Sequence, residues 1–113
     1  MITVKALLVS DNGELPVEIA LISNNLDGMK EAIGGGWIEG IGGRGWGGYC
    51  DEEGKNKGME VNIRATRIAQ LLGWTVGDVL CGPVVFLGPA NKDGEDTDVT
   101  ILVVETATAL EYI

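Results

Sequence analysis

The stretch GGGWIEGIGGRGWGG, residues 34–48, limits this chain more than any other, because nine of its fifteen residues are glycine. Glycine inside a helix or strand is less favourable than alanine by roughly 0.5–1 kcal/mol, so such a run persists where backbones approach closely or take left-handed dihedrals. A long helix across it is excluded. What it permits is a twisted β-hairpin: Trp37, Ile38 and Ile41 suggest one short strand and Gly45 to Cys50 another, with Gly42-Gly43-Arg44 as the bend. Trp37, Trp46 and Tyr49 then either cover the core or stand on a glycine floor as a stacking platform, with Arg44 at the turn offered to a phosphate or carboxylate.

GIGGRG, residues 40–45, has the letters of a dinucleotide fingerprint. The mechanism of that fingerprint needs a helix N-terminus immediately afterwards to meet the pyrophosphate, and WGGYCDEEG cannot start one. A phosphate-binding G-K-[ST] loop is absent as well.

The remaining segments alternate between two periods. ITVKALLV (2–9) and ELPVEIALI (14–22) read as strands joined at Asp11-Asn12-Gly13, with Pro16 restricting its strand to an edge or to a start beyond it. Asn24-Asn25 can cap a helix through LDGMKEAI, with Leu26, Met29 and Ile33 on one face and Gly34 closing it. Val61, Ala65, Ile68, Ala69 and Leu72 recur at helical spacing, with Gly73 ending the run. DVLCGPVVFL (78–87) reads as a strand interrupted at Gly82-Pro83, and PANKDGEDTD (89–98) as a charged loop. VTILVV (99–104) is rich in β-branched residues and suits a last strand, yet Val103, Ala107 and Leu110 also suit one helix face; periodicity leaves 99–112 open between the two. The expected architecture is a single α+β domain over 1–113, a mainly antiparallel sheet with two helices packed on one face and a glycine-rich β-hairpin.

Composition narrows function mainly by exclusion. Seventeen acidic residues against eight basic ones give a net charge of −9, and no basic stripe stands out, so direct nucleic-acid binding is not expected. No apolar run approaches the length of a membrane span, and the N-terminus lacks a secretion signal, so the expected location is the cytoplasm. The chain has no histidine, and its two cysteines, Cys50 and Cys81, are far apart, which excludes a C-x-x-C motif and a four-ligand zinc site; both read as buried thiols. Asp51, Glu52 and Glu53 lack the spacing of a calcium loop. With no Ser/His or Cys/His pair and no identifiable partner for the carboxylates, no catalytic residue, metal or cofactor is expected.

Four short motifs in order carry a resemblance: Gly35-Gly36-Trp37-Ile38-Glu39, then Asp51-Glu52-Glu53-Gly54-Lys55, then Asn62 with Ala65-Thr66, then Gly77-Asp78-Val79 leading to Gly82-Pro83-Val84-Val85. Together they resemble an uncharacterised family of small acidic proteins from bacteriophages and mobile elements, over residues 30–88. The resemblance implies action inside a bacterial host and transfers no activity.

The expectation is therefore a non-catalytic accessory protein that binds and blocks a host protein, through an acidic, aromatic-bearing surface that includes Trp37 and Glu39. The alternative is an oligomeric sponge for a signalling nucleotide, with Trp37, Trp46 or Tyr49 stacking the base and Arg44, Arg64 or Arg67 meeting phosphate. Asn62 serves either as the reader of a polar edge in that site or as a plain helix cap. The exposed ribbon and edge strand favour a homo-oligomer.

Overall fold

The computed structural model describes residues 2–111; Met1, Tyr112 and Ile113, which include the end of the 99–112 segment, lie outside the described residues. Its elements run β1 (Thr3–Val9), β2 (Glu18–Ser23), α1 (Leu26–Ala32), β3 (Ile38–Gly43), β4 (Trp46–Asp51), α2 (Ile63–Leu71), β5 (Val84–Leu87) and α3 (Ile101–Leu110). The strands form one sheet in the order β2-β1-β5-β4-β3, antiparallel throughout, as the α+β expectation requires.

β5 is the central strand, and all four of its residues are buried. Because side chains alternate across a strand, Val84 and Phe86 point to one face and Val85 and Leu87 to the other. Val84 and Phe86 join Leu7, Trp46, Ile68 and Val103 in one apolar cluster, whereas Val85 and Leu87 join Val4, Ala6, Met29 and Ile33 in another. Helices therefore lie on both sides. The two helices expected from the sequence, α1 and α2, do not share a face: α1 covers one side, and α2 with α3 the other. A strand buried on both faces needs apolar cover on both, which a one-sided arrangement cannot provide.

The local expectations are met where side chains cap or turn the backbone. Asn25 Oδ1 accepts from Gly28 N at 2.7 Å and starts α1, and Gly34 follows its end with φ +98°. Pro16 lies before β2, which begins at Glu18. The glycine hairpin bends later than expected: Gly42 and Gly43 belong to β3, and the turn falls at Arg44-Gly45, where Gly45 takes the left-handed φ of +82° that a tight two-residue turn requires.

One further segment differs from expectation, and one open choice is resolved. Residues 78–83 are not strand; they make a bridge from Cys81 to Val61, held by Asn62 N to Leu80 O at 2.7 Å and Gly82 N to Glu60 O at 2.8 Å. The open choice at the C-terminus is settled as helix over Ile101–Leu110, with Thr100 as its cap. Just before it, Val99 N donates to Lys5 O at 2.9 Å and Lys5 N donates to Asp98 Oδ1 at 2.8 Å, so residues 98–99 take over from β5 beside β1.

Asn62 ties α2 to both neighbouring segments. Its Oδ1 accepts from Ala65 N at 3.0 Å, and its Nδ2 donates to Val9 O and Gly82 O, each at 2.9 Å, all in the buried interior. Replacing it by alanine removes the cap acceptor and the two interior hydrogen bonds that Nδ2 gives to Val9 O and Gly82 O. Asn62→Ala is expected to lower stability by about 2–4 kcal/mol, and Asn62→Asp, which keeps the cap acceptor alone, by an amount in the same range; urea unfolding with an unchanged m-value checks both.

Candidate functional site

The β3–β4 hairpin is built by a ladder whose pairs run from Ile38 with Asp51 to Gly43 with Trp46. Glu52 N donates to Trp37 O at 2.9 Å, which makes Trp37 with Glu52 a hydrogen-bonded pair and sets the alternation along the ladder. Glu39, Ile41 and Gly43 therefore bond to β4, while the backbone groups of Ile38, Gly40 and Gly42 point off the free edge of the sheet. Two of those three carry no side chain to shield them.

Each face of the hairpin borders a depression. On the α2 side, a cleft of about 210 Å³ is lined by Glu39, Ile41, Cys50, Trp74 and Cys81. Its rim carries the Lys55–Asp78 ion pair, which raises the Lys55 ammonium and lowers the Asp78 carboxyl from their ordinary values. On the α1 side, a shallower depression of about 400 Å³ has Gly40, Gly42 and Gly47 as its floor, with Tyr49, Pro89 and Asp96 beside them. Tyr49 Oη donates to Asp96 Oδ2 at 2.8 Å, and Asn24 Nδ2 donates to Asp96 O at 3.1 Å, so Asp96 anchors the charged loop to the sheet.

The expected site residues are dispersed. Trp46 is in the core: its ring lies 5.7 Å from that of Phe86, and its indole N–H donates to Leu72 O at 3.2 Å. Tyr49 faces the opposite side of β4, and Trp37, 61% exposed, stands at the edge with the Lys30 ammonium 4.1 Å above its ring. A common three-ring platform therefore does not form, because alternation sends Trp46 and Tyr49 to opposite faces. Glu39 is exposed and lines the cleft, and Arg44 is exposed at the hairpin tip. Arg64 is not free for phosphate: its fork donates to Leu15 O at 2.6 Å, Ser10 O at 2.9 Å and Asn12 O at 3.0 Å, holding the β1–β2 turn. Arg67 is exposed on α2, and Asn62 is the buried cap already described.

Sequence reading missed Asp96 and Trp74, which become site residues only when distant loops fold against the hairpin. Chain spacing also separated Cys50 from Cys81, which line the same cleft. The edge groups of Ile38, Gly40 and Gly42 had a usable signal, since strand period alone sets them apart from Glu39 and Ile41.

Burial pushes the Cys50 thiol up to about 11, reinforced by the Glu39 and Asp51 carboxylates, so it is a neutral thiol and a poor nucleophile near neutral pH. Burial, with the hydrogen bond to Asp96, raises Tyr49 to about 12. Asp51 is the exception: burial opposes its charge, but the Lys57 ammonium at 2.9 Å and the Glu53 N–H at 2.8 Å outweigh it and hold its carboxyl below the ordinary value. Gly36 makes room for this pair, since a Cβ there would overlap the Asp51 carboxylate. Among the described residues no group of three or more His, Cys, Asp or Glu side chains is placed to hold a metal ion. No helix among them is long and apolar enough to cross a membrane.

Residues 4–110 match the model of the DUF3846 family, a domain of unknown function, and the chain belongs to that family. No curated protein matches it. Among solved structures, the fold is similar to part of the crystal structure of the small RNA methyltransferase HEN1, with a TM-score of 0.63 and 19% identity. That likeness covers 95% of this chain and 16% of the other, and at this identity it speaks for the fold alone.

Two outcomes follow from the titrating groups. Because the folded value of Asp51 is depressed, its stabilisation is full above its unfolded value of about 4 and is lost as pH falls through the lowered folded value; the stability gap between wild type and Asp51→Asn is expected to narrow progressively as pH is taken below about 4 in urea unfolding. Iodoacetamide at about pH 8 is expected to leave Cys50 unmodified in the folded protein and to label it after unfolding, as read by intact mass.

Proposed function

We propose that this protein works by occupancy, as a phage-type accessory protein in the bacterial cytoplasm that binds and blocks a host protein. The bound segment adds to β3 as an extra strand. One observation carries this reading: the outer edge of β3 presents the backbone groups of Ile38, Gly40 and Gly42 with almost no side chain over them. Natural sheets usually defend such an edge with lysine, proline or a covering loop, and an undefended one is a template for an extended peptide. Trp37 at one end supplies an exposed aromatic anchor, and Arg44 at the other supplies a planar fork for a carboxylate. The net charge of −9 favours a basic partner and its rapid encounter.

Sequestration of a nucleotide draws less support. The aromatics and arginines that would serve it are spread over two faces, and Asp96 sets a carboxylate beside Tyr49 where a phosphate would be repelled.

The test is affinity capture from bacterial lysate followed by hydrogen exchange. A stoichiometric partner is expected to slow exchange at Gly40 and Gly42, and Trp37→Ala to weaken binding about tenfold or more. Absence of any stoichiometric partner, or protection confined to surfaces away from β3, would overturn the reading.

A further inference from the structure

The opposite edge of the sheet is β2, and it is open in a different way. Asn24 N donates to Ile2 O at 2.9 Å, and Ile2 with Asn24 continues the register in which Thr3 meets Ser23. Val4 with Ile22, Ala6 with Ala20 and Leu8 with Glu18 are then the hydrogen-bonded pairs, and the backbone groups of Ile19 and Leu21 point outward. Their side chains, 52% and 68% exposed, lie on the α3 side of the sheet, since they pair with Leu7 and Lys5. Val99 is bonded to Lys5 on the flank of β1 that faces away from β2, so α3 starts one strand in from this edge. Its first residues, Ile101 and Leu102, are 76% and 64% exposed.

From this geometry we infer that the β2 edge is a two-fold interface with a second copy of the chain, in which β2 pairs antiparallel with the partner's β2. Centred on Ala20, the pairing sets Ile19 opposite the partner's Leu21 as a hydrogen-bonded pair and Ala20 opposite the partner's Ala20 as a close, non-bonded pair. Each outward donor and acceptor of Ile19 and Leu21 finds its complement, and the apolar side chains meet on the α3 face. The edge suits a copy because β2 carries one charge, Glu18, which falls opposite the partner's Ile22, so a chain of net charge −9 meets itself with no like charges opposed. A two-fold axis requires this self-complementarity. The same pairing at β3 would also satisfy its outward backbone groups, but it sets Gly40 against Gly40 and buries little apolar surface. The inference stands apart from the proposed function, which uses the other edge.

Sedimentation velocity on the full chain at about 100 μM tests the dimer, together with Ala20→Cys, Glu18→Cys and Leu21→Lys. Expected are a mass twice 11.9 kDa for the wild type and an interchain disulfide in Ala20→Cys, where the pair is close, but not in Glu18→Cys. Leu21→Lys, which changes an exposed side chain, is expected to weaken association about tenfold or more with an unchanged circular-dichroism spectrum. A monomeric wild type, a dimer unaffected by Leu21→Lys, or equal cross-linking at positions 18 and 20 would overturn the inference; loss of a β3-bound partner would not bear on it.

Discussion

Burial of β5 on both faces is the constraint on which the rest of the structure depends. Val84 to Leu87 alternate between two apolar clusters, and a strand without a solvent face must be covered twice. Two helices meet the demand on one side. On the other, α1 has only seven residues and packs with Val4, Ala6, Val85 and Leu87, a cluster that Ile38 and Tyr49 join at the base of the hairpin, while the glycines toward its tip line an open depression. The glycine end of the hairpin therefore keeps an open surface on that side.

The glycines of that hairpin answer mainly to the fold. A Cβ on Gly48 would overlap the carbonyl of Val85 on the neighbouring strand, and one on Gly43 would press on the indole of Trp46. These positions let β4 lie against β5 and let Trp46 turn into the core. Gly40 differs, since the nearest atom to its added Cβ is Tyr49 Cε1 at 3.9 Å, an ordinary contact. The absence of a side chain there leaves both a bare floor and a bare edge. One run of glycine thus meets an internal packing demand at some positions and opens a surface at others.

Charge is distributed in keeping with this division. Acidic side chains gather in the turn after β4 and in the 89–98 loop, where Asp51 and Asp96 tie loops to the sheet, while the two open strand edges contain only Glu18 and Glu39. Strand edges with few charges are where association is least opposed, and a strongly acidic surface elsewhere resists indiscriminate contact.

Much of the local structure was legible in the residues themselves. Asn25 and Asn62 as caps, the β1–β2 hairpin, β2 beginning beyond Pro16, and the α2 face of Ala65, Ile68 and Ala69 all follow from short-range sterics and period. The sequence by itself also determined the absence of histidine and the acidic balance, which bound the available chemistry. Tertiary structure decided what depends on distant partners: that α1 and α2 cover opposite faces, that residues 101–110 are helix, that Trp46 is core, that Arg64 is committed to three turn carbonyls, and that Cys50 and Cys81 share a cleft. The physical reason is one of range. Capping and periodicity act over a few residues, whereas a sheet's strand order, and hence which face or edge is left uncovered, is fixed by pairings between segments up to some eighty residues apart, such as Leu7 with Phe86.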